Sequence, residues 1–349
     1  MNLKMNKVAK RIRKDASKAK VMFFDTETTA SVAARPAYKT LRGVMFHGVA
    51  ETVLSSRRAK KYQGKVQLIF TSPPFPLNRK KKYGNAQGDA YLKWLTSFAP
   101  IFKKLLKKDG SIVMEMGNAW EPGSPVMSPL ALKALLAFLE AGKFHLCQQF
   151  VCYNPARLPS PAQWVNVERI RVKDSYTHVW WMSSTKRPKA DNRKVLKPYS
   201  AAMLELLSTK RYNAGKRPSE HKIGKKSFFK NNNGAIPSNV LLEDDQIPTN
   251  FLKLSNTASI DDYLRYCRDR ELVPHPARMP IGLPEFFIKF LTESRDLVLD
   301  PFAGSNTTGA AAERLKRRWM SVEARLDYIT ASKGRFPQFS SGKKKRRAA

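Results

Sequence analysis

Short apolar runs that each stop at a turn, separated by stretches of helical period, constrain the fold of this chain more than any other feature. Lys65 to Thr71 (KVQLIFT) is an apolar run closed by Pro73-Pro74, the pattern of a buried strand ending in a tight turn. Asp89 opens a segment with Leu92, Leu95, Phe98, Phe102 and Leu105 at helical spacing. Asp109-Gly110 is expected to end it, and Ser111–Glu115 to form the next strand. Ser128-Pro129 before LALKALLAFLEAG supplies an N-cap, a proline at the first helical position and a closing glycine. Phe144–Tyr153 and Thr177–Met182 read as strands. The alternation breaks over 186–256 and then returns. A helix is expected over Leu283–Leu291, a strand over Asp296–Asp300, a helix over Asn306–Lys316, a strand over Trp319–Glu323 and then a last helix. Strands alternating with helices imply an α/β fold, a doubly wound and mostly parallel sheet with helices on both faces.

Two strand ends carry chemistry. In Asp300-Pro-Phe-Ala-Gly-Ser-Asn-Thr-Thr-Gly309 a strand ends in a carboxylate, and a turn rich in Gly, Ser and Thr opens a helix. Gly304 lets a ligand approach the backbone, and the helix N-terminus offers free N–H groups to a carboxylate. Glu323, at the end of the next strand, stands where doubly wound nucleotide-binding folds place an acid against ribose hydroxyls. The turn lacks the GK[ST] of a P-loop. Taken alone, it also has a reading as an unliganded glycine-rich turn. At the other strand end, Thr71-Ser-Pro-Pro-Phe75 sets outward carbonyls and a hydroxyl beside an aromatic ring. That suits a planar amine, with acceptors for the NH₂ group and a ring to stack on its base. The bland alternative is a proline-terminated strand with a core Phe.

Together the two motifs resemble those of S-adenosyl-L-methionine-dependent amino methyltransferases, whose catalytic motif is [D/N/S]PP[Y/F/W] and whose cofactor motif is DxFxGxGT. Here the catalytic motif comes first, an order similar to the beta group of DNA methyltransferases. Ser72 at the first position resembles the cytosine-N4 enzymes; adenine-N6 enzymes typically carry Asp or Asn. Arg79–Asn85, Leu158–Asn166, His275–Pro280, Leu283–Ile288 and Gly304–Gly309 extend the resemblance, which runs from about 64 to about 335.

The resemblance implies a seven-stranded Rossmann-like sheet with circularly permuted motif order and an inserted target-recognition module. Ser72, the Pro73 carbonyl, Pro74 and Phe75 would hold and stack a flipped cytosine. Thr71, Asp300, Phe302, Gly304, Ser305, Asn306, Thr307 and Thr308 would line the cofactor's methionine end, and Glu323 its ribose. His275–Pro280 and the helix after it resemble the segment that packs over the cofactor. Glu115 is a candidate proton acceptor, with a salt-bridged or surface acid as the other reading; family members often carry Asp in that strand. Asn306 departs from the Gly of the wider superfamily. The implied substrate is a palindromic site, CAGCTG being the one to try, within a restriction–modification system. An adenine-N6 enzyme and an inactive DNA-binding protein on the same scaffold are the alternatives.

Charge agrees with such a substrate. Lys and Arg number 64 against 28 Asp and Glu, a formal net charge of +36, while 42% of residues are hydrophobic, enough for a packed core. A basic globular chain meets a polyanion, here expected to be double-stranded DNA. Five segments follow. Residues 1–20, with eight basic residues and one acid, are either a DNA-seeking arm or a solvated helical start. Residues 21–185 hold the catalytic half. The target-recognition module spans 186–274, and its 186–230 portion holds 14 Lys and Arg against three acids. Residues 275–338 are the cofactor half, and 339–349 a basic tail. Arg79, Lys80, Lys81 and Lys82, directly after the catalytic turn, are candidate phosphate contacts, or else a solvated loop.

No membrane span or secretory signal is expected. Cys147 and Cys152, five apart in a strand, are expected on opposite faces. With Cys267 distant, neither a disulfide framework nor a metal site is expected. A monomer is expected, with a cognate endonuclease as functional partner. Its expected location is the cytoplasm of a prokaryote or its virus, or the nucleus if the source is eukaryotic.

Overall fold

A computed structural model describes residues 35–75, 88–216, 218–219, 222–242, 252–253 and 262–340. The strands are β1 (Arg35–Lys39), β2 (Gly43–His47), β3 (Val66–Thr71), β4 (Leu106–Met116), β5 (His145–Tyr153), β6 (Tyr176–Ser183), β7 (Gly215–Lys216), β8 (Lys222–Ile223), β9 (Val240–Leu242), β10 (Leu252–Lys253), β11 (Leu297–Asp300) and β12 (Arg318–Glu323). The α-helices are α1 (Ala50–Ser55), α2 (Gly88–Leu105), α3 (Leu130–Gly142), α4 (Ala201–Thr209), α5 (Asp262–Asp269), α6 (Gly282–Leu291), α7 (Thr307–Arg314), α8 (Leu326–Ser332) and α9 (Pro337–Ser340).

One sheet of ten strands runs in the order β1-β2-β12-β11-β3-β4-β6-β5-β9-β10. Its seven strands from β2 to β5 form the doubly wound core, extended by β1 on one edge and by β9 and β10 on the other. Pairing is parallel except at β1–β2, β4–β6 and β6–β5. Every residue of β3 and β11 is buried, as strands covered on both faces require. One face carries α1, α2 and α3, whose Val53, Leu95, Phe98, Phe102 and Phe138 pack on Ile69, Ile112, Met114 and Leu299. The other carries α6 and α7, whose Phe287, Ile288 and Ala311 meet Leu68, Phe70, Val113 and Val298.

Three expectations are corrected by local geometry. Asp109-Gly110 does not end α2. The helix stops at Leu105, β4 begins at Leu106 opposite Val66, and the register slips between Val66 and Leu68, so Lys107–Gly110 form a bulge inside the strand. Ser128 lies one residue before the cap of α3, and the left-handed cap residue is Lys143 (φ 48°). Gly142 is needed instead for close packing, since a Cβ there would lie 2.0 Å from the Phe144 ring. Finally, Cys147 and Cys152 pack against the same core, not opposite ones. A register shift between Leu146 and Gln148 adds one residue to the alternation and returns both to one face.

Both ends of 186–274 are held by the main body. Lys189 pairs with Asp296 at 2.8 Å, the Asp191 N–H donates to the Phe290 carbonyl at 2.8 Å, and Val195 is buried against α6. Further on, β9 pairs in parallel with β5, and α5 buries Tyr263 and Cys267 beside Ala331 of α8. Between them, α4 buries no residue and β7–β8 form a separate two-stranded ribbon. Among the described residues no helix is long and apolar enough to cross a membrane.

Candidate active site

Adjacent parallel strands β12, β11, β3 and β4 end along one edge of the sheet, and a cavity of about 340 Å³ opens there. Ligands in open α/β sheets bind at this carboxyl edge. The two motif turns, far apart in sequence, share the cavity. Ser72, Pro73, Pro74 and Phe75 line one side, and Asp300, Phe302, Gly304, Ser305, Thr307 and Thr308 another. Glu115, Pro280 and Glu323 also line it.

Two expected residues stand behind the wall. Thr71 is fully buried and donates its hydroxyl to Asp300 Oδ1 at 3.1 Å. Asn306 is fully buried in the left-handed conformation (φ 56°) at the start of α7. Its Oδ1 accepts from the Gly309 N–H at 3.2 Å and from the Ser321 hydroxyl at 2.7 Å, and its Nδ2 donates to the Tyr38 oxygen at 3.0 Å. The side chain thus braces the turn from inside. Arg79, Lys80, Lys81 and Lys82, the arm 1–20 and the basic cluster 343–347 lie outside the described residues.

The carboxylates are set by their surroundings. Asp300 accepts from Thr71, from the Phe302 N–H at 3.1 Å and from the Thr308 hydroxyl at 2.7 Å. Burial outweighs these bonds and raises its pKa to about 6. Glu323 receives the Gly304 N–H at 2.8 Å and the Arg325 N–H at 2.9 Å, and burial raises its pKa to about 7. Glu115 accepts the Thr177 hydroxyl at 3.0 Å. Since Thr71 pairs with Met114, Ser72 and Glu115 occupy the next positions along neighbouring strands. The Phe75 ring lies on the Gly117 backbone, where a Cβ would come within 2.7 Å.

His275, from the segment expected to pack over the cofactor, lines the cavity, as do Trp94, Asn154 and Arg157, which carried no sequence signal of their own. His275 Nε2 lies 3.0 Å from where a Gly304 Cβ would stand (Gly304 φ +50°), and its ring meets Tyr328 edge-on at 4.4 Å. Burial lowers the His275 pKa, favouring the neutral ring. Trp94 packs on Phe302 at 5.4 Å and donates to Glu51 Oε1 at 2.5 Å. Asn154 and Arg157, from the loop after β5, reach the cavity as well. Only the folded register brings them there.

Residues 66–334 match the family described as DNA methylase. The chain is 44% identical over 304 residues to the type II methyltransferase M.PvuII of Proteus hauseri, covering 86% of each. The chain belongs to the DNA methylases. A solved structure described as PvuII DNA methyltransferase (cytosine-N4-specific) superposes on this methylase with a TM-score of 0.67 and 38% identity, over 87% of this chain and 89% of that one. The type II methyltransferase M.ScaI of Streptomyces caespitosus is 23% identical over 306 residues, 86% of this chain and 83% of that one. The family match begins at Val66, the first residue of β3, and so takes in both turns of this DNA methylase in their permuted order.

Proposed function

We propose that this methylase transfers a methyl group from S-adenosyl-L-methionine to the N4 amine of a cytosine flipped out of duplex DNA. One observation carries the reading. The Ser72-Pro73-Pro74-Phe75 turn and the Asp300–Thr308 turn face a single cavity, and Thr71 and Asp300 tie them together.

The donor set fits the cofactor. Asp300 offers a buried carboxylate and Glu323 a half-buried one for hydroxyl or ammonium hydrogens, and Gly304 lines the same cavity. Ser305 and Thr307 line the same wall, their hydroxyls 3.2 Å apart. When bound, the cofactor supplies a methyl group activated by a sulfonium. The chain's own residues do the rest. Ser72 Oγ and the Pro73 carbonyl accept the hydrogens of the amine, which steers its nitrogen out of conjugation with the ring. Phe75, fixed against Gly117, offers a face for the base. Glu115, one strand over from Ser72, takes up the proton that the amine releases.

The permanent charge of +36 supports a duplex substrate. Arg79–Lys82 and the arm and tail would grip phosphates, and the 186–274 module would read bases in the major groove. CAGCTG is the first site to try. As the type II relatives' names imply, the partner activity would be a cognate endonuclease. A monomer in the cytoplasm accords with this role.

Incubation with labelled S-adenosyl-L-methionine and duplex DNA, followed by digestion to nucleosides, tests the reading. N4-methylcytosine is the expected product. N6-methyladenine would move the assignment to the neighbouring class of amine, and unlabelled DNA would leave a binding protein.

A further inference from the structure

A base that swings out of a duplex leaves a hole in the stack, and apolar side chains inserted between base steps can occupy such gaps. We propose that Leu158 is the side chain that fills this hole. The inference rests on the cavity being the pocket for a flipped base.

Two loops rise from the carboxyl edge of the sheet beside the cavity. One follows β4 and runs from Gly117 to Pro129; the other follows β5 and runs from Asn154 to Ser175. Arg171 clamps them together, donating to the Pro125 carbonyl at 2.5 Å and pairing with Asp174 at 3.2 Å. On the clamped pair, Val126, Leu158, Val167, Ile170 and Val172 are all exposed. Isolated exposed aliphatics need no explanation, but five lie on this joined pair of loops, which reaches the cavity through Asn154 and Arg157.

Its surroundings select DNA as the occupant. The second loop carries Arg157, Arg169, Arg171 and Lys173 against Glu168 and Asp174. Arg157 and Lys173 donate to backbone carbonyls, those of Tyr176 at 3.1 Å and Pro155 at 2.7 Å. Carbonyls are neutral, so these bonds position the cations without cancelling their charge. Apolar side chains set in a positive field match a wedge that enters a phosphate-lined groove.

Leu158 is singled out by how its neighbours are held. The Asn154 side chain accepts the Ala156 N–H at 2.9 Å, and the Asn154 N–H donates to the Ser175 carbonyl at 2.7 Å. Asn154 and Arg157 both line the cavity. Leu158 is therefore the first residue beyond an anchored turn at the cavity mouth, yet it is 79% exposed. A rigid base and a free apolar tip are what insertion into a stack requires. Val172 is more exposed at 87%, but neither it nor its neighbours reach the cavity.

The test compares single-turnover methylation of two duplexes, one with the target base normally paired and one with it opposite an abasic site. L158A is expected to be about tenfold or more slower than wild type on the paired duplex, yet within about twofold on the unpaired target, whose extrusion costs little. L158M, which keeps length and apolarity, is expected to match wild type on both. Wild-type speed for L158A on paired DNA would overturn the inference. So would an equal loss on both duplexes, since that marks a residue needed for the loop and not for filling the stack. The product nucleoside separates this inference from the reading beneath it. If the wild type methylates adenine, only the choice of amine falls, and the variants are compared on that base. If it methylates no base, both fall.

Discussion

The Thr71 hydroxyl donates a 3.1 Å hydrogen bond to Asp300 Oδ1 across 229 residues of sequence. The bond crosses the seam between β3 and β11 and joins the strand that presents the proline turn to the strand that presents the glycine turn. The other Asp300 oxygen accepts from Thr308, at the start of α7. One buried carboxylate thus sets the proline turn and the glycine turn in register with each other. Reacting groups held at fixed separation gain rate from orientation alone, and a misplacement of about 1 Å can cost about 10²-fold.

Removing the Ser72 hydroxyl takes an acceptor from the amine without touching the cofactor wall. Ser72→Ala is expected to lower kcat by about 10- to 100-fold, with the cofactor Kd held within about twofold. Glu115→Gln keeps the shape and loses the base, and a fall of about 10²-fold or more is expected. Single-turnover rates and calorimetric binding measure both. Full turnover by Glu115→Gln would assign the proton to solvent.

Glu323 gives the site a pH dependence with a definite sign. Burial raises its pKa from 4.5 to about 7, so the folded ligand-free protein holds this proton more tightly than the unfolded chain. Its contribution to stability is full below the unfolded value and is lost as pH rises through about 7. Hydroxyl and ammonium donors prefer the ionised form. Cofactor affinity is therefore expected to rise between pH 6 and pH 8, and Glu323→Gln to flatten that profile in titrations across the range.

Gly117 is required by a ring and not by a turn. A Cβ there would lie 2.7 Å from Phe75 Cε2, so Gly117→Ala must displace the Phe75 ring, which lines the cavity. The cost to folding is expected to be about 1–3 kcal/mol, the range for overpacking. Cofactor binding should survive while the KM for DNA rises. An unchanged KM would show that the Phe75 ring does not face the base.

Asn306 offers a contrast. Asn306→Gly would suit the left-handed backbone but would strip its side-chain acceptor from the buried Gly309 N–H and Ser321 hydroxyl, while Tyr38 keeps its bond with Ser332. Orphaned buried groups cost about 1–3 kcal/mol each, so a net loss of about 2 kcal/mol or more is expected in chemical unfolding. The cofactor Kd of the folded variant should stay close to wild type, because the side chain faces away from the cavity.

The charge of the chain is testable through salt. Each phosphate neutralised adds about 0.9 to the log–log slope of DNA affinity against salt. Deleting 1–20 and 343–349 is expected to flatten the slope while the methylated sequence stays the same. A changed sequence preference would place base reading in the arm or tail.

Much of this architecture is legible in local pattern. The apolar runs at Val66–Thr71 and Leu297–Asp300, each followed by a turn, announce strands buried on both faces. The helical spacing from Leu92 to Leu105 announces the helix between β3 and β4. The Ser72–Phe75 and Asp300–Gly309 motifs point to the site through their joint resemblance to those of amino methyltransferases, and both line the one cavity. These signals are short-range, set by side-chain chemistry and by periods of 2 and 3.6 residues.

What the tertiary structure decided depends on register and strand order. One extra residue between Leu146 and Gln148 put Cys147 and Cys152 on the same face. A bulge at Lys107–Gly110 carries β4 back to Leu106, ahead of the glycine expected to end the preceding helix. Asn306 turned inward because Tyr38, from the sheet edge, and Ser321, from β12, met it there. Likewise, the raised pKa values of Asp300 and Glu323 come from burial beneath segments distant in sequence. Composition and periodicity are unchanged by a one-residue slip, yet the slip reverses which side chains face the core. The chain's local chemistry therefore names the two turns, while only the packed sheet determines that they share one cavity and which of their side chains reach it.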